Sequence, residues 1–263
     1  MMAAIRWAAA SVALLAAGSL AAPLGAGAVA VAAPRSGYDD ASPPVRAMQD
    51  DDTTNPGFLW VQQGEAVWAD TSVPSGQSCQ GCHGSAATMR GVAARYPAYD
   101  PALRRPLTLA QRIALCRTRY QRAPELTPDA DEALAVEAYV GLQSRGMSIH
   151  VDTAGDAAPF AEHGRRLFTT RMGQLNLSCA ACHDGLAGQH LAGALIPQGQ
   201  PNGYPLYRLE WQSLGSLYRR IVNCLTGIRA EPFAADSPEF ADLAFYLSAR
   251  ADGLAVETPA VRP

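Results

Sequence analysis

The sequence contains the pattern Cys-X-X-Cys-His twice, at Cys79–His83 and at Cys179–His183. Two thiols three positions apart add to the two vinyl groups of one haem, and the histidine that follows them meets the iron. A redox Cys-X-X-Cys is an alternative. Half of a zinc site is another, but the sequence lacks a second ligand pair at the spacing that zinc requires. The motifs therefore predict two haem c groups attached covalently through Cys79, Cys82, Cys179 and Cys182.

The N-terminus has the layout of a secretory signal peptide. Arg6 supplies positive charge, an apolar stretch follows, and small residues continue to Ala33. A membrane anchor is the alternative, but Ser19 and Pro23 interrupt the apolar run. We therefore expect cleavage near Ala33 and export, with no membrane insertion, because no later segment has about 18 uninterrupted apolar residues. The formal net charge of -3 argues against a nucleic-acid partner.

The sequence after each motif is similar, and this similarity indicates an internal repeat. The stretches Arg112–Cys116 and Arg220–Cys224 both read Arg-Ile-X-X-Cys. Thr108 and Gln111 predict a capping box that starts a helix before the first cysteine. Apolar side chains at helical spacing predict a helix before the second cysteine; they are Leu214, Leu217, Tyr218 and Ile221.

A further helix is predicted near the end of each half. Thr127-Pro128 and Ser237-Pro238 each place an N-cap residue before a proline at the first helical position. Each half thus contains a haem motif, an irregular loop, a helix that carries a lone cysteine, and a closing helix. This order predicts a mainly α protein with two tandem cytochrome c-like domains and long irregular loops.

Composition suggests where these domains begin and end. We expect a signal peptide over residues 1–33 and an extended polar arm over 34–56. The first domain is predicted over 57–148 and the second over 161–255. Glycine, aspartate and alanine are frequent in the intervening stretch, so residues 149–160 are predicted to form a linker.

Each haem iron needs a sixth ligand, and methionine fills this position in ordinary electron-carrier cytochromes c. No methionine follows Met172, so His190 and Cys224 are the candidates for the second haem. His190 lies only seven residues after His183, and such a short loop would have to pass around the porphyrin. The spacing therefore favours Cys224, which follows His183 by 41 residues.

For the first haem, the candidates are Met89, Met147 and Cys116. The repeat favours Cys116, because it occupies the position equivalent to Cys224. A disulfide between Cys116 and Cys224 is an alternative in an oxidising compartment, and two buried free thiols are another. A disulfide requires Cα atoms within roughly 7 Å, and equivalent positions in two separate domains are expected to lie farther apart.

Positive charge is concentrated around Cys224. Arg219, Arg220 and Arg229 lie within five residues of it, and Arg220 precedes it by one helical turn. A guanidinium is always charged and its donors suit oxyanions. Arg220 is thus placed to favour the thiolate and to hold an anionic substrate. A solvated surface position and a contact to a haem propionate are the alternatives for each arginine.

These residues resemble a known family, SoxA, the dihaem subunit of the SoxAX cytochrome complex of sulfur-oxidising bacteria. The resemblance covers about residues 55 to 252, and its most specific part is the stretch from Ser216 to Phe233. In that family SoxA pairs in the periplasm with SoxX, a small monohaem cytochrome. The complex acts as an L-cysteine S-thiosulfotransferase.

The resemblance implies an activity and a set of site residues. The chain would help to join thiosulfate oxidatively to a cysteine of a SoxYZ-like carrier protein, while two electrons pass through haem c to a cytochrome c acceptor. Cys224 would be the catalytic residue, able to carry a persulfide, and Arg220 would bind substrate. The irons would be ligated by His83 and Cys116 in the first haem and by His183 and Cys224 in the second.

Two other functions compete with this interpretation. One is a plain periplasmic dihaem electron-transfer cytochrome c, in which Cys224 is structural. The other is a dihaem peroxidase, which needs an open iron site that a cysteine ligand matches poorly. Dependence on a sulfur anion and on a carrier protein separates the transferase from both.

Overall fold

Helices dominate the first half of the chain in the computed structural model, which describes residues 33–263. The predicted signal peptide, apart from Ala33, lies outside the described residues. The helices and strands of this half are α1 (Pro43–Asp50), α2 (Phe58–Ala69), α3 (Cys79–His83), β1 (Ala98–Asp100), β2 (Arg105–Leu107), α4 (Leu109–Cys116) and α5 (Asp131–Leu142). Two 3-10 turns follow α3, at Ala86–Met89 and Ala93–Arg95, and a π-helical turn, Arg117–Gln121, follows α4.

The second half has a similar order with three additional strands, after a 3-10 turn at Gly155–Ala157. Its elements are α6 (Ala158–Thr169), α7 (Cys179–His183), β3 (His190–Leu191), β4 (Ala194–Leu195), β5 (Leu206–Arg208), β6 (Ser213–Gly215), α8 (Leu217–Gly227), α9 (Pro238–Arg250) and β7 (Ala260–Arg262). The mainly α class predicted from the sequence is confirmed. In the part of the chain that the structure describes, no helix is long and apolar enough to cross a membrane.

One helix pair forms the frame of each half. α2 packs on α5, and α6 packs on α9. Gly64 lies against the Ala135 carbonyl, and Gly164 lies in the same way against the Asp242 carbonyl. A Cβ would stand 2.1 Å and 2.0 Å from these oxygens, respectively. Only glycine permits such a close helix crossing, and its occurrence in both halves shows that the repeat extends to the packing.

A short antiparallel hairpin leads into each cysteine-bearing helix. β1 pairs with β2, and β5 pairs with β6; the residue pairs Ala98↔Leu107 and Leu206↔Gly215 stand in the same register. Positions in the two hairpins differ by 108, and the same offset relates Cys116 to Cys224. β5 also pairs in parallel with β7, which gives a three-stranded sheet in the order β6-β5-β7. The hairpins therefore define equivalent positions along both helices.

Two of the three capping signals predicted from the sequence are confirmed. The capping box of α4 at Thr108 is present, and the Ser237 hydroxyl accepts a hydrogen bond from the Phe240 amide at the start of α9. The Ser216 hydroxyl caps α8. The prediction for Thr127-Pro128 was wrong: α5 begins at Asp131. One reason is that the preceding segment makes a long-range contact, in which the Asp129 carboxylate accepts a hydrogen bond from the Ser216 amide at 3.0 Å.

The predicted N-terminal arm and the predicted linker both contribute buried side chains. Residues 34–56 contain α1, and Val45 of this helix is buried against Val261 of β7. Residues 149–160 include Ile149 and Val151, which are buried in a cluster with Ala94 of the first half and Phe245 of the second. Apolar burial therefore holds both segments in place. The exact domain boundaries stay predictions.

Candidate haem and thiol site

Each Cys-X-X-Cys-His motif forms a short helix with the same start. The Ser78 hydroxyl accepts a hydrogen bond from the Gly81 amide at 2.9 Å, and the Ser178 hydroxyl accepts one from the Ala181 amide at 3.1 Å. A capped turn places both thiols of a motif on one helical turn, followed directly by the histidine. This is the donor arrangement that haem c attachment needs.

In the second half, the protein holds the His183 ring in one orientation. Its Nδ1 lies 2.8 Å from the Pro197 carbonyl, so Nδ1–H donates and the Nε2 lone pair is left for iron. Gly199, at φ +72°, packs against the ring, and a Cβ there would stand 2.9 Å from Nδ1. Burial lowers the pKa of His183, which favours the neutral ligand form. These residues fit a haem c.

Cys224 lies on α8 beside the second motif. Burial, with the nearby Cys224 as the next cause, raises the pKa of the Cys179 thiol to about 11. Both thiols are half-buried, and Cys179 packs against the apolar cluster that contains Ile221 and Leu225 of α8. The structure therefore brings the predicted sulfur ligand next to the predicted attachment site.

Arg220 also lies near the second haem motif. Its charge contributes, after burial, to the lowered pKa of His183. It also acts on Tyr204 and Arg208, two residues that sequence reasoning missed. Burial is the first cause and Arg220 the second of the lowered pKa of Arg208. Burial raises the pKa of Tyr204 to about 12, and Arg220, Arg208 and Cys224 all act on this phenol. A repeated Tyr-Pro pair, 96–97 and 204–205, was the available signal for this region.

The other predicted arginines have separate surroundings. The Arg219 guanidinium lies over the Trp211 ring, 4.2 Å from its centroid, and donates a hydrogen bond to the Ser213 hydroxyl. Arg229 has a positive φ of 56°, and its carbonyl accepts a hydrogen bond from the Gln174 amide. Both arginines therefore have structural contacts with protein groups.

The first site has the same layout with different surroundings. Burial raises the pKa values of Cys79 and Cys116, and Cys116 acts on Cys79 through its charge. Gln121 of the π-helical turn donates to the Cys79 sulfur at 3.6 Å. His83 is exposed, and its ring lies 5.8 Å from the Trp68 ring, centroid to centroid. The candidate ligand Cys116 is thus adjacent to its own motif.

The other candidate iron ligands are two methionines and a histidine. Met89 packs in the apolar cluster around Trp68, and Met147 packs in the cluster that contains Ile149. His190 is exposed on β3. All six cysteines are free. The structure therefore does not contain the disulfide between Cys116 and Cys224 that was considered as an alternative.

The repeated helix pair, the capped motifs and the oriented His183 define a cytochrome c built from two related halves. The sequence profile of the family described as SoxA/TsdA, cytochrome c domain, matches residues 63–149 and 163–256. The chain is similar to the crystal structure of SoxXA from P. pantotrophus, with a TM-score of 0.85 and 33% identity, over 88% of this chain and 87% of that chain.

Curated relatives narrow the family further. The L-cysteine S-thiosulfotransferase subunit SoxA of Rhodovulum sulfidophilum is 37% identical over 87% of this chain and 80% of its own length. The SoxA subunit of Pseudaminobacter salicylatoxidans is 37% identical over 82% and 77%. This chain belongs to the SoxA family. The predicted cytochrome c fold and haem c binding are therefore confirmed.

Proposed function

We propose that this chain is the catalytic subunit of an L-cysteine S-thiosulfotransferase. The observation that carries the proposal is the position of Cys224, which lies beside Cys179 and in the field of Arg220. The relatives with 37% identity are named as subunits of this enzyme. An electron carrier needs no thiol among cations at its haem, so the geometry favours the transferase over the plain cytochrome.

The reaction joins thiosulfate to a cysteine thiol of a SoxYZ-like carrier protein. One sulfur–sulfur bond forms, the thiol loses its proton, and two electrons leave. When bound, haem c supplies the electron acceptor and an iron that takes sulfur ligands. We infer two covalent haems, attached through the four motif cysteines: Cys79, Cys82, Cys179 and Cys182.

Within this scheme each side chain has a distinct task. His183 presents Nε2, because the Pro197 carbonyl holds Nδ1–H. Cys224 would be the catalytic residue and would supply a sulfur donor to the second haem, and it could carry a persulfide that extends its nucleophilic sulfur. Arg220 orients the anion and favours thiolate. In the first half, His83 and Cys116 would hold the iron of the first haem.

The proposed partners follow the same reasoning. The similar solved structure is titled SoxXA, which supports assembly of this chain with a SoxX-like monohaem cytochrome. A SoxYZ-like carrier would supply the thiol, and a cytochrome c would accept the electrons. The signal-peptide layout supports export to the periplasm.

The test uses the holoprotein assembled with its SoxX-like partner. Thiosulfate, the carrier protein and oxidised cytochrome c are mixed, and carrier mass is recorded together with cytochrome reduction. We expect carrier that has gained a thiosulfonate group, with two electrons per conjugate. Cytochrome reduction without carrier modification would instead indicate an electron carrier. Low-temperature EPR beside Cys224→Ala tests whether sulfur ligates the second iron.

A further inference from the structure

The 108-residue offset pairs Asp100 with Arg208. Asp100 is the last residue of β1 and stands opposite Arg105, whereas Arg208 is the last residue of β5 and stands opposite Ser213. The same offset pairs Arg112 with Arg220, each four residues before the lone cysteine of its half. A carboxylate in the first half is thus replaced by a guanidinium at the equivalent position of the second.

In the first half, the carboxylate at this position, Asp100, neutralises the charge of Arg112 on α4. Arg112 forms a salt bridge with Asp100, whose side chain is only 10% exposed, and Arg112 Nε donates to the Tyr96 hydroxyl at 3.3 Å. The Leu103 amide also donates to Asp100 at 2.9 Å. The arginine before Cys116 is therefore occupied by protein groups.

In the second half, Arg220 acts electrostatically on a second cation, Arg208. Across residues 33–263, Arg220 forms no salt bridge with a carboxylate. Arg208 pairs at 2.9 Å with Glu210, which is 64% exposed, while the Arg208 side chain is 17% exposed. Arg208 Nε is buried and has no hydrogen-bond partner among the described residues. Burying two like charges with one exposed counter-charge is unfavourable unless an anion binds.

Both cations lie close enough to the proposed catalytic thiol to interact with its charge or to share its helix. Cys224 interacts electrostatically with both Arg208 and Tyr204, and Arg220 precedes it by one helical turn. We propose that Arg208 is a second substrate-binding residue, which together with Arg220 binds the three oxygens of thiosulfate and directs its terminal sulfur toward Cys224. This inference rests on the proposed function. A guanidinium fork suits such an oxyanion.

A haem propionate is also an oxygen anion, so the experiment must separate these two sources. Arg208→Gln, Arg208→Lys and Arg208→Asp are prepared as holoproteins with the SoxX-like partner. Arg219→Gln is the matched control, because it removes one positive charge from the neighbouring helix while its guanidinium contacts Trp211 and Ser213. Haem content and thermal unfolding verify that each variant folds.

We expect Arg208→Gln to raise the KM for thiosulfate roughly 10–100-fold, as the loss of a charged hydrogen bond predicts, with kcat changed less than about threefold. Arg208→Lys should recover part of the affinity. Arg208→Asp recreates the pair of the first half and should weaken binding at least as much as Arg208→Gln. Arg219→Gln should stay within about twofold of the parent.

An unchanged KM in Arg208→Gln would overturn the proposal. An unchanged KM together with a shifted reduction potential of the second haem would also overturn it, and would assign Arg208 to a propionate. Calorimetric titration with thiosulfate, and with sulfate as competitor, needs no carrier protein. Binding that depends on Arg208 without carrier conjugation would support this inference while refuting the transferase. Conjugation that is insensitive to Arg208 would do the reverse.

Discussion

Arg112 and Arg220 occupy equivalent positions in the two halves and have opposite surroundings. Arg112 is paired with Asp100, whereas Arg220 acts electrostatically on Arg208 and pairs with no carboxylate of the described chain. The helix, the hairpin and the lone cysteine are otherwise alike. One charge at the end of a strand therefore distinguishes a neutralised site from one that needs an anion.

The two motif histidines differ as well. His183 is half-buried and hydrogen-bonded to the Pro197 carbonyl, while His83 is exposed and lies beside the Trp68 ring. No hydrogen bond to a ring nitrogen of His83 is formed by any residue from 33 to 263. Ligand orientation is thus set by a backbone carbonyl in the second half and by ring packing in the first. Both differences suggest that chemistry is concentrated in the second half.

The largest expected difference between the halves concerns their lone cysteines. Cys224→Ala should reduce thiosulfate-dependent turnover by at least ~1,000-fold, because the catalytic sulfur is lost. Cys116→Ala should lower it less than about tenfold, since only a ligand of the first haem changes. Steady-state rates and EPR of both variants provide the measurement. Equal losses would contradict the functional division between the halves.

Substitution of Arg112 should affect mainly stability, whereas substitution of Arg220 should affect mainly the KM for thiosulfate. Arg112→Gln leaves the buried Asp100 carboxylate without its cation and should lower the free energy of unfolding by about 3 kcal/mol, with little change in KM. Arg220→Gln should raise the KM for thiosulfate roughly 10–100-fold without destabilising the fold, because it relieves repulsion with Arg208.

Urea unfolding and thiosulfate kinetics on both variants test this pair. Asp100→Asn is the control for the first half, because it removes the same ion pair from the other side. Stability loss in Arg220→Gln comparable to that in Arg112→Gln would contradict the idea that Arg220 has no structural counter-charge.

A buried carboxyl group in the first half makes the stability of the protein depend on pH. Glu137 of α5 faces the cavity between the halves, and the equivalent position on α9 is Ala244. Burial, with the nearby Asp129 as the next cause, raises the pKa of Glu137 from 4.5 to about 7, although the Ala110 amide acts in the opposite direction.

The folded state therefore binds this proton more tightly than the unfolded state, so stability is greatest at low pH and is lost as pH rises from about 4.5 to about 7. Glu137→Gln should remove this loss. Relative to the parent, it should gain about 2 kcal/mol in unfolding free energy between pH 5 and pH 8. Urea unfolding at four pH values measures the difference, and parallel curves for the two proteins would refute the assignment.

The smallest predicted effect is a change in reduction potential that depends on the hydrogen bond of His183, which His83 lacks among the described residues. Gly199→Ala forces a methyl group against His183, whereas Gly188→Ala introduces similar backbone strain, at φ +85°, with nothing within 4 Å. Both should cost about 1 kcal/mol through positive φ. Only Gly199→Ala should weaken the hydrogen bond to Pro197 and raise the reduction potential of the second haem. Redox titration distinguishes them, and a shift of the first haem would contradict the prediction.

Several features were predictable because their signals are local. The caps at Thr108 and Ser237 start helices where the sequence indicated. The start of α5 was not predictable, because Asp129 makes its hydrogen bond with Ser216, 87 residues away. The burial of Ile149 and Val151 was not predictable either, because it depends on contacts with Ala94 and Phe245, which are distant in sequence.

By itself, the sequence predicted haem c binding and the repeat. Thiol spacing, a following histidine and a lone cysteine on a helix are set by covalent geometry within a few residues. Only the tertiary structure decided the charge around Cys224. Arg208 and Arg220 lie on different elements, and whether a distant residue neutralises or repels a charge depends on which side chains the packed chain brings together.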